Sequence, residues 1–309
     1  MTSKKPPSIT PGAPFYFGEH KFHFGNEIVE LVDSSSIKHD VIALRARMAE
    51  DGYLFIRGFH PQEKAMAAAN WTLQAIADQG GLAEGTPVSE GIIGTENKSY
   101  AFFRQVDIAH GQPILDVVDS PDTFNFYEMM FDGPVLTFDK RWLRCMAQGG
   151  HNHFHYDNVY VGRGTKNRYT MWSALTDIGL DNGPLVICLG SHNHDKLKST
   201  YGATDMDRDL TDAVFSKDPI ELVKKFGFQL ATAHFQPGDV ILFGMFMMHS
   251  SAPNLTNRYR ISIDTRYQPA DEEKDERFFG KDGAWMGNFY TKGAEYKAMD
   301  KLRKEWDLT

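Results

Sequence analysis

Cysteine is scarce in this chain of 309 residues, and its scarcity excludes one class of protein at once. Cys145 and Cys188 are the two cysteines, and no CxxC pair occurs. Two cysteines with this spacing do not indicate a disulfide framework. The first residues also lack the apolar stretch that a secretory signal requires, so no such signal is recognised. We therefore expect a protein of a reducing compartment, the cytoplasm.

A net positive charge and long apolar runs are lacking as well. The formal net charge is −8 and the sequence pI is about 5.8, so no overall basic field attracts nucleic acid or an anionic membrane surface. Polar residues or glycines interrupt every apolar run within about ten residues, which is too short to cross a bilayer. The expected partner is a small-molecule substrate, with neither nucleic acid nor a membrane involved, and the oligomeric state stays open.

Hydrophobic residues make up 41% of the chain, which is enough for a sizeable core. Residues 1–14 combine prolines with lysines and serines and predict a disordered tail. The remainder, 15–309, is expected to form a single domain. Its part up to about residue 132 is predicted to be helix-rich, because helical spacing recurs at 36–50, 61–77 and 114–130, around a buried strand at 53–59.

Beyond Gly133 and Pro134 the sequence changes to short apolar or alternating runs between turn residues. Many short strands at close spacing predict an antiparallel sandwich or barrel over about 133–270. Residues 207–225 interrupt the series with a largely helical pattern. The predicted strands are 135–138, 142–146, 154–160, 169–177, 185–189, 228–235, 240–248 and 259–267.

Candidate metal ligands alternate along one predicted strand. In a strand, His151, His153, His155 and Asp157 would all point to the same face. An imidazole and a carboxylate two residues apart can both reach one divalent ion. A histidine from a distant strand would complete a face of two histidines and one carboxylate, which leaves positions open on iron(II). Taken alone, however, a His-x-Asp spacing is common by chance.

Two later residues, His249 and Arg260, support a metal site at this spacing. Residues 236–243 form a tight turn that enters a buried strand, and this strand ends at His249. Arg260 follows eleven residues later on an alternating strand, and an arginine fork can hold the far carboxylate of a dicarboxylate cosubstrate. The alternative for this strand is a row of salt bridges, which we favour for Asp264 with Arg258 or Arg266.

A further stretch completes an ordered set of motifs. It comprises Trp172-Ser173-Ala174-Leu175-Thr176-Asp177, Asn182-Gly183-Pro184-Leu185 and Gly190-Ser191-His192. With the residues above, the chain resembles the phytanoyl-CoA dioxygenase family of iron(II)- and 2-oxoglutarate-dependent oxygenases, over roughly residues 51–269. The resemblance implies a mainly β fold with flanking helices, a double-stranded β-helix (a jelly-roll, cupin-like barrel) with iron at its open end.

The resemblance also implies a role for individual residues. It places the catalytic Fe(2+) ligands at His155, Asp157 and His249, and the distal carboxylate of 2-oxoglutarate on Arg260. Trp172 and Ser251 match positions that line the cosubstrate pocket. Ser262 completes an Arg-x-Ser spacing that adds a hydroxyl to the same carboxylate.

The implied reaction consumes O2 and 2-oxoglutarate, releases succinate and CO2, and hydroxylates a C–H bond of a small organic substrate. The carboxylate at Asp157 favours a hydroxylase, because relatives that halogenate carry a small residue there.

Several alternatives stay open at the level of sequence. A shifted register would make His153 the ligand instead of His155, and the roles of His151 and His192 are undecided. The region 80–110 is either a lid or a surface connection. A cupin-type enzyme that does not use 2-oxoglutarate is disfavoured, because no glutamate occurs between Glu128 and Glu221. A catalytically silent metal-binding or ligand-binding barrel is the third hypothesis.

Overall fold

The structure, a computed structural model, describes residues 8–280 and 295–309. In this part of the chain, the strands are β1 (Pro14–Phe17), β2 (His20–His23), β3 (Ile28–Glu30), β4 (Tyr53–Ile56), β5 (Tyr100–Ala101), β6 (Val135–Thr137), β7 (Trp142–Met146), β8 (Tyr169–Ala174), β9 (Leu185–Leu189), β10 (Gln229–Thr232), β11 (Val240–Gly244), β12 (His249–Ser251) and β13 (Arg260–Pro269). The helices are α1 (Val41–Asp51), α2 (Gln62–Asp78), α3 (Val106–Ala109), α4 (Gln112–Val118), α5 (Pro121–Phe131), α6 (Asp157–Val161), α7 (Asp195–Ser199), α8 (Pro219–Lys224) and α9 (Met299–Glu305).

Two sheets organise the strands. The larger sheet runs in the order β4-β11-β8-β13-β7-β5, with β6 paired to the end of β13, and its pairings are antiparallel. The smaller sheet runs in the order β12-β9-β10-β3, where β3 pairs parallel to β10. A separate hairpin joins β1 to β2. The strands β4 (Tyr-Leu-Phe-Ile) and β9 (Leu-Val-Ile-Cys-Leu) are apolar throughout and almost wholly buried, as expected of strands covered on both faces.

An apolar cluster fills the space between the two sheets. Trp172, Ile241 and Phe243 from the larger sheet pack there against Ile187 and Ala231 from the smaller one. Burial of apolar surface stabilises the sandwich by roughly 25 cal/mol per Å². This apolar cluster fills only part of the interior. Near the start of β12, the interior side chains are polar.

Helices cover the outer faces, as the sequence predicted for the part before residue 132. Helices α1 and α5 pack on the outer side of β4, β8 and β11, and α2 and α4 pack on the outer side of β7 and β13. Asp40 caps α1 by accepting from the Ala43 N–H, and Gly52 ends it in the left-handed conformation (φ 77°) that glycine adopts without strain. The local sequence therefore sets both ends of α1.

Most predicted strands are present, and two predictions are wrong. Residues 154–160 do not form a strand, because only isolated bridges occur at Phe154 and His155 before α6 starts at Asp157. Residues 207–225 begin with a turn at 207–210, continue as largely irregular chain to 218 and are helical only in α8. The cause in the second case is local: the Asp205 carboxylate accepts from the N–H groups of Asp207 and Arg208, which favours a turn over a helix.

The predicted disordered tail, 1–14, is wrong for its described part, residues 8–14. Residues 1–7 lie outside the described residues. Ile9 donates its N–H to the Glu30 carboxylate, and the Gly12 N–H donates to the Phe24 carbonyl, so the chain already packs against the hairpin before Pro14 opens β1. None of the helices in residues 8–280 and 295–309 is long and apolar enough to cross a membrane.

Candidate metal centre

Backbone pairing brings the first two candidate ligands together. The N–H of His155 donates to the carbonyl of His249 and the N–H of His249 donates to that of His155, both at 3.1 Å. This isolated bridge ties the segment before α6 to the start of β12, which is itself paired to β9. Asp157 follows two residues later as the first residue of α6. Residues almost a hundred positions apart thus share one end of the sandwich.

The three side chains converge on one point. Asp157 Oδ1 lies 3.8 Å from His155 Nε2 and 3.9 Å from His249 Nε2. One ligand atom from each residue lies within 4.8 Å of the other two, and these residues form the cluster of potential metal ligands found among the described residues. This spacing allows a single divalent ion to contact all three side chains.

Hydrogen bonds fix the orientation of both imidazoles. His155 Nδ1 lies 2.7 Å from the His153 carbonyl, and His249 Nδ1 lies 2.9 Å from the Met247 carbonyl. Because a carbonyl oxygen only accepts, each Nδ1 carries the proton and each Nε2 keeps its lone pair. Burial lowers the pKa of His155 to about 3 and also lowers the pKa of His249. Both rings are therefore neutral, as metal ligands must be.

The two oxygens of Asp157 have different environments. Oδ2 accepts from Thr170 Oγ1 at 2.5 Å and from Arg266 Nη2 at 2.8 Å, whereas Oδ1 faces the imidazoles. Burial by itself would raise the pKa of this carboxyl, but Arg266 and the hydrogen bond from Thr170 oppose it, and the pKa lies below its ordinary value. The carboxylate is ionised and presents one oxygen to the point between the histidines.

Arg266 belongs to a buried chain of charges. Its Nη1 donates to Asp264 Oδ2 at 2.6 Å, and its guanidinium lies 4.2 Å from the Trp142 ring centroid. Arg144 donates through Nε to the other oxygen of Asp264 at 2.9 Å. Burial would lower the pKa of Arg266, but its two carboxylate partners raise it instead. Arg266 is thus neutralised within the protein.

Arg260 is buried without such a partner. Its donors reach neutral acceptors: Nε donates to the Gly183 carbonyl at 2.9 Å, Nη1 to Ser262 Oγ at 2.6 Å and Nη2 to Ser251 Oγ at 2.7 Å. No carboxylate of the described residues lies within 4.0 Å of it, and the side chain is 0% exposed. Burial lowers its pKa to about 9. An unpaired buried cation is costly, so this position fits an anionic ligand.

Trp172 lines the space between Arg260 and the histidine cluster. The Arg260 guanidinium lies 5.3 Å from the Trp172 ring centroid, and the indole packs against Phe235 at 4.9 Å. A narrow pocket of about 20 Å³ extends from the cluster to Arg260, and its walls include Trp172 and Ser251. All seven residues singled out from the sequence therefore lie in or directly beside one pocket.

A larger cavity opens on the other side of the cluster. It has a volume of about 280 Å³ and shares His155, Asp157 and Arg144 with the narrow pocket. Aromatic and aliphatic side chains form most of its remaining wall, namely Phe103, Trp142, Tyr160, Val161 and Val214. The point between the histidines is therefore accessible from two sides.

The structure also shows where the histidines lie whose roles the sequence left undecided. His151 and His153 lie at the mouth of the larger cavity, with their rings 4.9 Å apart, and neither belongs to the ligand cluster. His192 lies elsewhere, with Nε2 3.2 Å from the Glu50 carbonyl. The shared strand face expected for residues 151–157 does not exist, because α6 turns the chain away.

Two residues at the site were not predicted to act there. Thr170 was not singled out, and Arg266 was assigned to a salt-bridge row. Their signal is visible in the sequence once the pairing of β8 with β13 is known, since Thr170 and Arg266 are direct cross-strand partners.

The donor set and the fold define a class of protein. Two neutral imidazole nitrogens and one carboxylate oxygen, at the end of a β sandwich and open on two sides, fit a non-haem iron(II) site. The unpaired Arg260 beyond it fits the far carboxylate of a dicarboxylate such as 2-oxoglutarate.

The family follows from a comparison of sequences. A model of the phytanoyl-CoA dioxygenase family (PhyH) matches residues 48–262, which is more than half of the chain. The chain belongs to the phytanoyl-CoA dioxygenase family and is a non-haem iron(II)- and 2-oxoglutarate-dependent dioxygenase, which uses Fe(II), 2-oxoglutarate and O2.

Individual relatives agree with this class. Two proteins named 1-deoxypentalenic acid 11-beta-hydroxylase, from Streptomyces arenae and Streptomyces exfoliatus, are 28% and 27% identical over 257 residues, which cover 79% of this chain and 87% of each relative.

Solved structures give the fold. EctD from S. alaskensis with 2-oxoglutarate and 5-hydroxyectoine has a TM-score of 0.54 and 18% identity, covering 78% of this chain and 80% of that one. The epimerase SnoN in complex with Fe3+, alpha ketoglutarate and nogalamycin RO has a TM-score of 0.51 and 16% identity, covering 76% and 86%. The predicted jelly-roll fold with flanking helices is confirmed.

Proposed function

We propose that His155, Asp157 and His249 bind one iron(II), and that Arg260 binds the distal carboxylate of 2-oxoglutarate. The observation that carries this assignment is the pairing of a convergent, neutral ligand set with a buried cation that has no anion of its own. Either feature alone has structural explanations, but the three ligand residues and Arg260 line one pocket, as a dicarboxylate that spans from metal to arginine requires.

The remaining residues of the narrow pocket support the same ligand. Ser251 and Ser262 hold the two terminal nitrogens of Arg260, so the guanidinium keeps one orientation, and their hydroxyls can turn to a carboxylate placed beside it. Trp172 closes the pocket on its apolar side. Such preorganisation reduces the ordering cost of binding.

Iron, when bound, supplies the chemistry by which 2-oxoglutarate and O2 are converted to succinate and CO2 while a substrate C–H bond is hydroxylated. The chain supplies geometry. Thr170 and Arg266 occupy Oδ2 of Asp157, which leaves Oδ1 as the oxygen offered to the metal. The histidines are fixed by their Nδ1 hydrogen bonds, and Phe103, Trp142 and Tyr160 give the larger cavity apolar surface for a substrate.

The reaction proposed for this chain is hydroxylation of a small organic molecule held in the larger cavity. The carboxylate at Asp157 supports hydroxylation, and two relatives are named as hydroxylases of a small organic acid. We also propose that residues 15–309 act as one domain, since α1, α2, α4 and α5 pack directly on the sheet that carries Arg260 and Arg266.

One experiment tests this function. Protein loaded with iron(II) is titrated anaerobically with 2-oxoglutarate, and the visible metal-to-ligand charge-transfer band is followed; oxygen is then admitted and succinate is measured. We expect a saturable band and stoichiometric succinate. The variant His249→Ala should lose the band, whereas His192→Ala, a matched histidine outside the cluster, should keep it. A protein that binds iron but shows no band contradicts the proposal.

A further inference from the structure

Charge is not balanced in the connected pockets. Their lining carries three arginines, Arg144, Arg260 and Arg266, against two carboxylates, Asp157 and Asp264, which leaves one positive charge in excess. Iron(II) adds two positive charges and 2-oxoglutarate adds two negative ones, so the excess stays at one after both have bound. Because buried and half-buried charges are costly without a counter-ion, the excess points to a further anion.

The excess resides on Arg144. Arg260 is assigned to the distal carboxylate of 2-oxoglutarate, and Arg266 lies between Asp157 and Asp264. Arg144 shares Asp264 with Arg266 and reaches it through Nε alone. Among residues 8–280 and 295–309, no acceptor forms a hydrogen bond with its Nη1 or Nη2, and the side chain is 28% exposed. Two forked donors are thus left for a ligand.

Arg144 is placed where a substrate would meet it. Its strand, β7, pairs with β13, so that Arg144 lies opposite Ser262, between the level of Arg260 and that of Arg266. The side chain lines both the narrow pocket and the larger cavity. From this position its free donors face the junction of the two pockets.

Five side chains give the larger cavity apolar surface, beside the polar His151, Asn152 and His153. Trp142 and Val161 are buried wall residues, and Phe103, Tyr160 and Val214 complete the wall. The volume of about 280 Å³ is just below the usual range for ligand pockets, about 300–1,000 Å³, so the occupant is compact. Of the two arginines on this wall, Arg266 is paired with Asp157 and Asp264, so Arg144 is the one that can fix the orientation of such a molecule.

We propose that the substrate is a compact, mainly apolar molecule with one carboxylate, and that Arg144 binds this carboxylate. The inference rests on the proposed function, because it takes iron and 2-oxoglutarate as occupants of the narrow pocket. Arg144 acts as a specificity-determining residue: its fork matches a carboxylate bidentately and leaves the C–H bonds of the apolar body beside the metal centre.

The test uses binding of matched probes. Cyclohexanecarboxylate, adamantane-1-carboxylate and trans-decalin-2-carboxylate, each beside its methyl ester, are titrated anaerobically into the iron(II)- and 2-oxoglutarate-loaded protein. Binding is read from the change in the charge-transfer band. We expect at least one acid to bind roughly tenfold or more tightly than its ester, as a charge-assisted hydrogen bond implies. Formation of the band before any probe is added tests the proposed function separately.

Variants of Arg144 test whether this residue causes the preference for an acid over its methyl ester. In Arg144→Gln the ratio of acid to ester affinity should fall to about threefold or less, and Arg144→Lys should restore part of it. The affinity for 2-oxoglutarate should change by less than about threefold in both. Arg208→Gln removes an exposed arginine that pairs with Asp209 outside the pockets, and it should leave the ratio unchanged.

Four results overturn the inference. Esters that bind as well as their acids, or the absence of binding by every acid at millimolar concentration, exclude a carboxylate-selective cavity. An acid preference that survives in Arg144→Gln assigns it to another residue. A loss of 2-oxoglutarate affinity in Arg144→Gln, with the acid preference unchanged, assigns Arg144 to the cosubstrate instead. A band that forms normally in each case leaves the proposed function standing.

Discussion

Two arginines on β13, six residues apart, are both buried and yet have opposite surroundings. Arg266 donates to Asp157 at 2.8 Å and to Asp264 at 2.6 Å, and these carboxylates raise its pKa. Arg260 donates only to a carbonyl and two hydroxyls, and burial lowers its pKa to about 9. One has its counter-ions within the protein, and the other does not.

The proposed function gives Arg266 a supporting role and Arg260 a binding role, in keeping with this difference. Arg266 compensates the charge of Asp157 and fixes which carboxylate oxygen faces the histidines, so its partners are needed at all times. Arg260 is held ready by neutral acceptors, and its counter-ion would arrive with the cosubstrate. A buried arginine without an acid is therefore the more informative feature when a ligand site is sought.

Loss of Arg266 should give the largest effect. Arg266→Leu leaves Asp157 and Asp264 buried without their shared cation, and the free energy of unfolding of the metal-free protein should fall by about 3–5 kcal/mol. Urea denaturation measures it, and Arg266→Lys, which keeps a charge, should recover part of the loss. A change of less than about 1 kcal/mol would show that Arg266 does not support Asp157.

Loss of Arg260 should have the opposite profile. Arg260→Leu removes an unpaired charge, so the free energy of unfolding without ligand should stay within about 1 kcal/mol of the wild type. The affinity for 2-oxoglutarate should fall roughly 30-fold or more, since truncating one partner of a buried charge pair costs about 2–5 kcal/mol. Anaerobic titration measures the affinity, with iron binding as the control. An equal loss of iron affinity would make Arg260 structural.

Lowering the pH should diminish the loss of stability caused by Arg266→Leu and should not alter the effect of Arg260→Leu on stability. In the wild type, the pKa of Asp157 is lowered, so its contribution to stability is present above its unfolded pKa, about 3.9, and is lost as the pH falls through the folded pKa. Without Arg266, burial raises that pKa, and protonation relieves the buried charge. The destabilisation by Arg266→Leu should therefore shrink between pH 7 and pH 4, while that of Arg260→Leu stays constant. Urea denaturation across this range checks it.

The smallest effect is expected at Ser262. Ser262→Ala removes the hydroxyl that orients Arg260 Nη1 and should weaken 2-oxoglutarate binding by about 0.5–1.5 kcal/mol, a factor of about two to ten. Iron affinity should not change, because the hydroxyl does not contact the ligand cluster. The same anaerobic titration gives both numbers, and a shift in iron affinity alone would count against this arrangement.

The sequence predicts much of the site because the contributing residues lie on well-patterned strands. Arg260 and Ser262 are on β13, whose alternation is clear, and His249 follows a buried strand that a tight turn introduces. The predicted strands 142–146 and 185–189 coincide with β7 and β9. Local pattern suffices where the backbone conformation is regular.

Local pattern fails around Asp157. Valine and tyrosine in α6 favour a strand, but tertiary hydrogen bonds impose a helical turn: the Asn158 N–H donates to the Met245 carbonyl, and Asn158 Nδ2 donates to the Gly202 carbonyl. Arg168 donates to the Val161 carbonyl at the end of the turn. These contacts come from distant segments, so no spacing within residues 151–161 announces them. The sequence does not predict the role of Arg266 for the same reason, because this role depends on cross-strand pairing with Thr170.

A crystal structure of the anaerobic complex with iron(II) and 2-oxoglutarate tests the comparison of the two arginines most directly. We expect the distal carboxylate of 2-oxoglutarate on Arg260, iron on His155, His249 and Oδ1 of Asp157, and Arg266 still on Oδ2. A cosubstrate bound away from Arg260, or an iron held by both oxygens of Asp157 with Arg266 displaced, would contradict it.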